Sequence, residues 1–167
     1  MKRLSLYTVL LLVLVCQSCG FYSFTGASIP AEAKTVSVQY FPNQAPLINP
    51  TLSNDFTTAL RDAMMNQTSL DMVDSGGDLA FEGEITDYRT TPVAITSGQT
   101  AALNRLSITI NVRFVNLFDE TKNFETKFTH YEDYPSDQDL NSVQESLTGT
   151  IIEALVEDIF NKALVNW

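Results

Sequence analysis

From Leu106 to Phe114 the chain alternates without a fault. Leu106, Ile108, Ile110, Val112 and Phe114 fall on one side, and Ser107, Thr109, Asn111 and Arg113 on the other. A period of two with one apolar set predicts a strand with one covered and one wet face, the pattern of an antiparallel sheet. Lys34 to Phe41 repeats it, with Val36, Val38 and Tyr40 against Thr35, Ser37 and Gln39. Leu79, Phe81 and Ile85 predict another strand, in which Gly83 marks a bulge or a close approach. A fourth runs from Phe124 to Tyr134, entered through the turn Asp119 to Asn123 and stopped by Pro135.

Twice the period lengthens to that of a helix. Asn49 as N-cap and Pro50 at the first helical position open one. Its apolar face is Leu52, Phe56, Ala59, Leu60, Ala63 and Met64, and it ends around residues 66–68. Ser142-Val143-Gln144-Glu145 reads as a capping box opening the second. That helix continues through Leu147, Ile151, Ile152, Leu155, Val156, Ile159, Phe160, Ala163 and Leu164 nearly to Trp167. The order β-α-β-β-β-α predicts an α+β two-layer sandwich. Two helices would pack on one face of a mostly antiparallel four-stranded sheet. The apolar positions of the last helix cover more than the roughly 100° stripe a sheet requires. Either the helices also pack on each other or a partner covers the excess. Residues 90–104, "TTPVAITSGQTAALN", read as a long, weakly charged protrusion between the second and third strands.

The N-terminus changes the picture of where this domain lives. Lys2 and Arg3 precede an apolar run from Leu4 to Val15, and small or polar residues follow. That is the layout of a secretory signal, too short to span a bilayer as a helix. Around Cys19 the segment resembles a bacterial lipoprotein signal, with Ser18 in the small position before the cysteine. The resemblance implies cleavage after residue 18 and attachment of a diacylglycerol to Cys19. The alternative is an ordinary secreted protein cut near Ala27. Cys16 would leave with the signal, so the mature chain would hold no disulfide. The expected divisions are 1–18 signal, 19–33 lipidated tether and 34–167 a single domain. No acidic cluster follows Cys19, which points to an outer-membrane lipoprotein facing the periplasm.

Charge and chemistry then exclude several classes. Without Lys2 and Arg3, eight basic residues face twenty acidic ones, a net of −12. Nucleic-acid binding needs clustered Lys and Arg, so no nucleic-acid partner is expected. His130 is the one histidine, and it sits in a strand pattern. There is no GxSxG, P-loop or GxGxxG, and no Cys/His set for zinc. The acidic string Asp71, Asp74, Asp78 lacks the spacing and closing Glu of a calcium loop and reads as a turn. Glu82 and Glu84 lie two apart in a strand, hence on one solvated face. No catalytic site, metal or dissociable cofactor is expected.

Several longer strings carry a family resemblance: "CGFYSFTGASIP", "VQYFPNQAPLINPTLSNDFTTALRD", "LAFEGEITDY", "ALNRLSITINVRF" and "VEDIFNKALVNW". Together they span the mature chain, and it resembles the LptE family of lipopolysaccharide-assembly lipoproteins in its Bacteroidetes-type form. The resemblance implies an outer-membrane lipoprotein that plugs the LptD β-barrel and assists its assembly. It also implies contact with lipopolysaccharide through basic residues, as in some family members. By chemistry the candidates are Arg89, Arg105 and Arg113, with Lys122 and Lys127 near the hairpin turn. The competing reading makes them surface charges on a wet sheet face. A carrier of lipid or peptide, with a cavity between helices and sheet, is the alternative function.

Overall fold

The computed structural model describes residues 29–47, 49–93 and 102–165. The signal segment, Cys19, most of the tether, the middle of the 90–104 connection and Trp167 lie outside the described residues. The elements run β1 (Thr35–Val38), α1 (Leu52–Gln67), β2 (Asp71–Val73), β3 (Leu79–Val93), β4 (Leu103–Asn116), β5 (Phe124–Pro135) and α2 (Leu140–Leu164). They form one sheet in the order β2-β1-β3-β4-β5. β1 runs parallel to both β2 and β3, whereas β3, β4 and β5 form an antiparallel meander. The α+β sandwich with helices on one face is as expected.

The sheet has five strands where the pattern predicted four. β2 is only three residues long, too short for periodicity to reveal, and it falls in the acidic string read as a turn. Its register, Thr35↔Asp71 through Ser37↔Val73, lets it shield the outer edge of β1. The protrusion is also shorter than predicted. β3 and β4 stay paired from Thr90↔Leu106 out to Val93↔Leu103, so both ends of the 90–104 stretch are hairpin. β1 meets β3 only near its start, and Asn43 bridges Ile85; among the described residues nothing pairs with the rest of that edge. Pro92 is tolerated there because an edge strand need not donate on its free side.

Burial follows the alternation. Leu106, Ile108, Ile110, Val112 and Phe114 are all buried, as are Leu79, Phe81 and Ile85 on β3. From above they meet Leu52, Phe56, Leu60 and Met64 of α1, and Ile151, Leu155, Ile159 and Leu164 of α2. The wide apolar face of α2 is explained by two neighbours: it packs on α1 and also on β4 and β5. Two polar ties hold the layers in register. Arg61 donates from Nε and Nη2 to the Val38 carbonyl at 3.1 and 2.8 Å. His130 Nε2 lies 2.7 Å from Asp158 Oδ2, joining β5 to α2.

Both helix starts differ from the predicted ones. α1 begins at Leu52 after Thr51, which makes no side-chain cap. Asn49 instead accepts from the Thr51 amide and hydroxyl, each at 3.2 Å, in a turn that feeds the helix. α2 starts at Leu140, capped by Asp139, whose Oδ1 accepts from the Asn141 amide at 2.8 Å. Aspartate caps as well as serine does, so the earlier residue wins and Ser142 donates to the Asp139 carbonyl instead.

Asp78 acts as a clamp between strands. Its Oδ2 accepts from the amides of Lys34 and Thr35 and from the Thr35 hydroxyl at 2.8–2.9 Å. Those backbone bonds hold its carboxyl below the usual range.

Gly83 answers the question its position raised. It has φ +154°, and a Cβ there would overlap the Asn111 carbonyl oxygen and crowd the Phe41 ring. It is a close approach; the bulge lies further on, between Ile85 and Asp87. Thr86 is the extra residue, its hydroxyl donating to the Thr109 carbonyl at 3.3 Å. Gly83→Ala therefore meets immovable backbone, and we expect a loss of about 3 kcal/mol, read as a lower urea midpoint.

The open sheet face as a candidate interaction surface

Because both helices lie on one side, the other face of β3, β4 and β5 is uncovered by any described element. Alternation sends Glu82, Glu84, Asp87 and Arg89 of β3 to it, together with Arg105, Ser107, Thr109, Asn111 and Arg113 of β4. From β5 it receives Glu125, Lys127, Thr129, Tyr131 and Asp133. The bulge at Thr86 keeps Asp87 and Arg89 on this side while Tyr88 turns into the core. Without it, a one-residue slip would have exchanged the two sets.

Cross-strand register pairs most of these charges. Arg105 lies opposite Asp133 and binds it through two bonds, Nε to Oδ1 at 2.7 Å and Nη2 to Oδ2 at 2.9 Å. Its guanidinium also stacks 3.6 Å from the centre of the Tyr131 ring. Two bonds from arginine hold the Asp133 carboxyl below its ordinary range. Arg113 stands between Glu82 on one side and Glu125 on the other, at 3.5 and 3.7 Å. Asn111 donates to Glu84 and Glu125, each at 3.0 Å, and the hydroxyls of Thr109 and Thr129 meet at 2.9 Å.

Arg89 is different. Among the described residues it pairs only with Asp87 of its own strand, at 3.1 Å, and its side chain is 64% exposed. Register puts Arg89 opposite Ser107 and Arg105 opposite Thr91, so the two arginines are diagonal neighbours. Arg113 is eight residues along β4 from Arg105, roughly 27 Å away, so the three do not converge. Lys127 stands exposed opposite Asn111. Lys122 lies in the turn of 3₁₀ helix Glu120–Lys122 that joins β4 to β5, beside Asp119. The five basic candidates are thus spread over one face and its turn, without forming a single cluster.

A family model described as LptE, lipopolysaccharide-assembly, matches residues 33–163. The chain belongs to the LptE family. Membership gives it a role in lipopolysaccharide assembly. No curated relative matches it. Among solved structures, it is similar to a minor lipoprotein from Acinetobacter baumannii at 15% identity and TM-score 0.50. The match covers 80% of this chain and 97% of the other. It is also similar to a putative neuraminyllactose-binding hemagglutinin homologue from Helicobacter pylori, at 9% identity and TM-score 0.52. Coverage there is 85% and 89%. At such identities the likeness is one of fold.

Periodicity placed Arg113 on the wet face of this LptE-family sheet, but Arg89 reaches that face only through the bulge at Thr86, and alternation did not reveal the arginines' partners. Asp133 and Tyr131 were legible as strand residues, yet only register shows that they receive Arg105. The pairing has a pH signature. A carboxyl held below its unfolded value of 3.8 stabilises the fold above that value. The contribution is lost as pH falls through the lower folded value. The urea-midpoint gap between wild type and Asp133→Asn should therefore be open at pH 6 and close progressively below about pH 4.

Proposed function

We propose that this LptE-family chain is an outer-membrane lipoprotein, anchored at the periplasmic face through Cys19. Its folded body plugs the LptD β-barrel and assists the barrel's assembly. The observation that carries the reading is the open sheet face. Three long strands present a broad polar surface that no described element covers, and its charges are largely paired among themselves. A barrel lumen is polar on its inner side. A face with satisfied charges sits against such a wall without stranding any of them.

The filled core favours this reading over the carrier. Phe41, Phe56, Phe81 and Phe114 occupy the space between the layers, with Phe41 and Phe56 edge to face at 5.0 Å. The described depressions lie on the outside of the molecule or at its ends. Anchoring requires no helix, and none of the described helices is long and apolar enough to cross a membrane. A diacylglycerol on Cys19 supplies two chains, above the marginal hold of one.

Within the same reading, Arg89 is the residue best placed to meet a lipopolysaccharide phosphate. Its guanidinium is the most exposed of the three arginines and the least engaged, and Arg105 adds charge diagonally beside it. Arg113, Lys122 and Lys127 stand at greater distance along the face.

The test is a mild-detergent pulldown of the full chain from its native membranes. An outer-membrane barrel should co-purify at equal stoichiometry and survive 0.5 M salt, on the order of three times physiological ionic strength. Recovery of the chain alone, or with a lipid and no barrel, would overturn the plug. Cys19→Ala should leave the precursor uncut or release the protein from the membrane fraction, and intact mass should show acyl chains on the wild type. Arg89→Ala with Arg105→Ala should weaken lipopolysaccharide binding several-fold, about 1 kcal/mol.

A further inference from the structure

The side of the molecule away from the open sheet carries a second surface. Between α1 and α2 runs a seam with two grooves, of about 800 and 460 Å³. Helix and helix-entry residues line both; no strand residue does. The floor is apolar, from Ile152, Val156 and Phe160 of α2 and Ala59 of α1. The rims carry Asp55, Glu145, Glu153 and Glu157.

The charge distribution makes the seam unlike the open sheet. On the sheet, Glu82, Asp87, Glu125 and Asp133 each face an arginine. None of the four seam carboxylates forms an ion pair with a described residue, and no described Lys or Arg lines either groove. They are not arranged for a metal: among the described residues no three His, Cys, Asp or Glu side chains gather as ligands. A second signal lies in the same groove. Thr148 lines it, is 4% exposed, and its Oγ1 has no hydrogen-bond partner among the described residues. Two residues on, Thr150 donates to the Ser146 carbonyl as helical threonines commonly do. The Thr148 hydroxyl is thus a buried donor and acceptor at the groove wall that the described residues leave unsatisfied.

We propose that this seam docks a cationic peptide segment of another protein. Acidic rims complement lysine or arginine side chains, the apolar floor takes the intervening ones, and side-chain amides of Gln144 and Asn161 suit a peptide backbone. From Glu145 to Asn161 the seam extends about 24 Å along α2, enough for an extended segment of about seven residues. The proposal stands apart from the barrel reading, because the seam and the open sheet lie on opposite sides of the fold.

The probe is a synthetic seven-residue peptide alternating lysine with small apolar residues, titrated by fluorescence anisotropy into the purified full chain in uncharged detergent. Its counterpart with glutamate for lysine is the control. The lysine peptide should bind and the glutamate peptide should not. Combined Glu145→Gln, Glu153→Gln and Glu157→Gln should weaken binding at least tenfold. Combined Glu32→Gln, Asp71→Asn and Asp137→Asn, which removes as much charge from exposed sites elsewhere, should change it less than twofold. Thr148→Val, which keeps the shape and costs no existing bond, should weaken binding while circular dichroism stays unchanged. Equal losses from both triple variants would reduce the effect to net charge and overturn the proposal. So would failure of the wild type to bind the lysine peptide.

Discussion

Two helices can cover only one face of a five-stranded sheet, and the rest of this molecule is organised around that shortage of cover. Every residue of β3, β4 and β5 must serve either the packed face or the wet one, so the strands cannot slip by a single position. Two backbone devices enforce this. Gly83 lets β3 press against the Asn111 carbonyl and the Phe41 ring, where a side chain would not fit. Three residues later, Thr86 takes up one extra position so that Tyr88 enters the core and Arg89 stays out. The first fixes how closely the strands lie, and the second fixes which face each side chain joins.

A wet face of this breadth has to satisfy its own charges. Of the eight basic residues after Cys19, four face the open sheet: Arg89, Arg105, Arg113 and Lys127. Exposed ion pairs stabilise a fold weakly, so this concentration does little for stability. It does neutralise a surface that would otherwise carry Glu82, Glu84, Asp87, Glu125 and Asp133 unopposed. The cost appears on the other side of the chain. With so many cations on the sheet, the carboxylates along the helix seam have none among the described residues. The molecule is therefore charge-paired on one face and anionic on the other, two surfaces that suit different neighbours.

Much of this was legible in the sequence, for reasons that also explain the misses. Long elements with a steady period, such as β4 and α2, declare themselves because every second or fourth residue repeats the same choice between core and water. β2 did not, since three residues hold no period; it exists because α1 returns the chain beside β1. The helix caps shifted by a few positions because Asn, Asp, Ser and Thr compete for one role, and geometry alone selects among them. Asp78 looked like part of a turn, and it is; that its carboxylate also clamps β1 depends on residues 43 and 44 positions earlier. Arg105 and Asp133 are 28 apart. The candidate site was thus readable as a face and unreadable as a set of pairs, because alternation gives sides and only register gives partners.

The same asymmetry bears on how an LptE-family chain could work as a plug. A body that fills a barrel must hold its shape before the barrel closes around it. In this chain the buried aromatic residues and both helices complete a single apolar cluster. The uncovered face, being polar and internally paired, tolerates water as readily as a polar lumen, so docking need not expose or bury a large apolar area. Specificity must then come from shape and hydrogen-bond register more than from hydrophobic gain. A twisted three-stranded face whose register is pinned by Gly83 and Thr86 supplies that kind of surface.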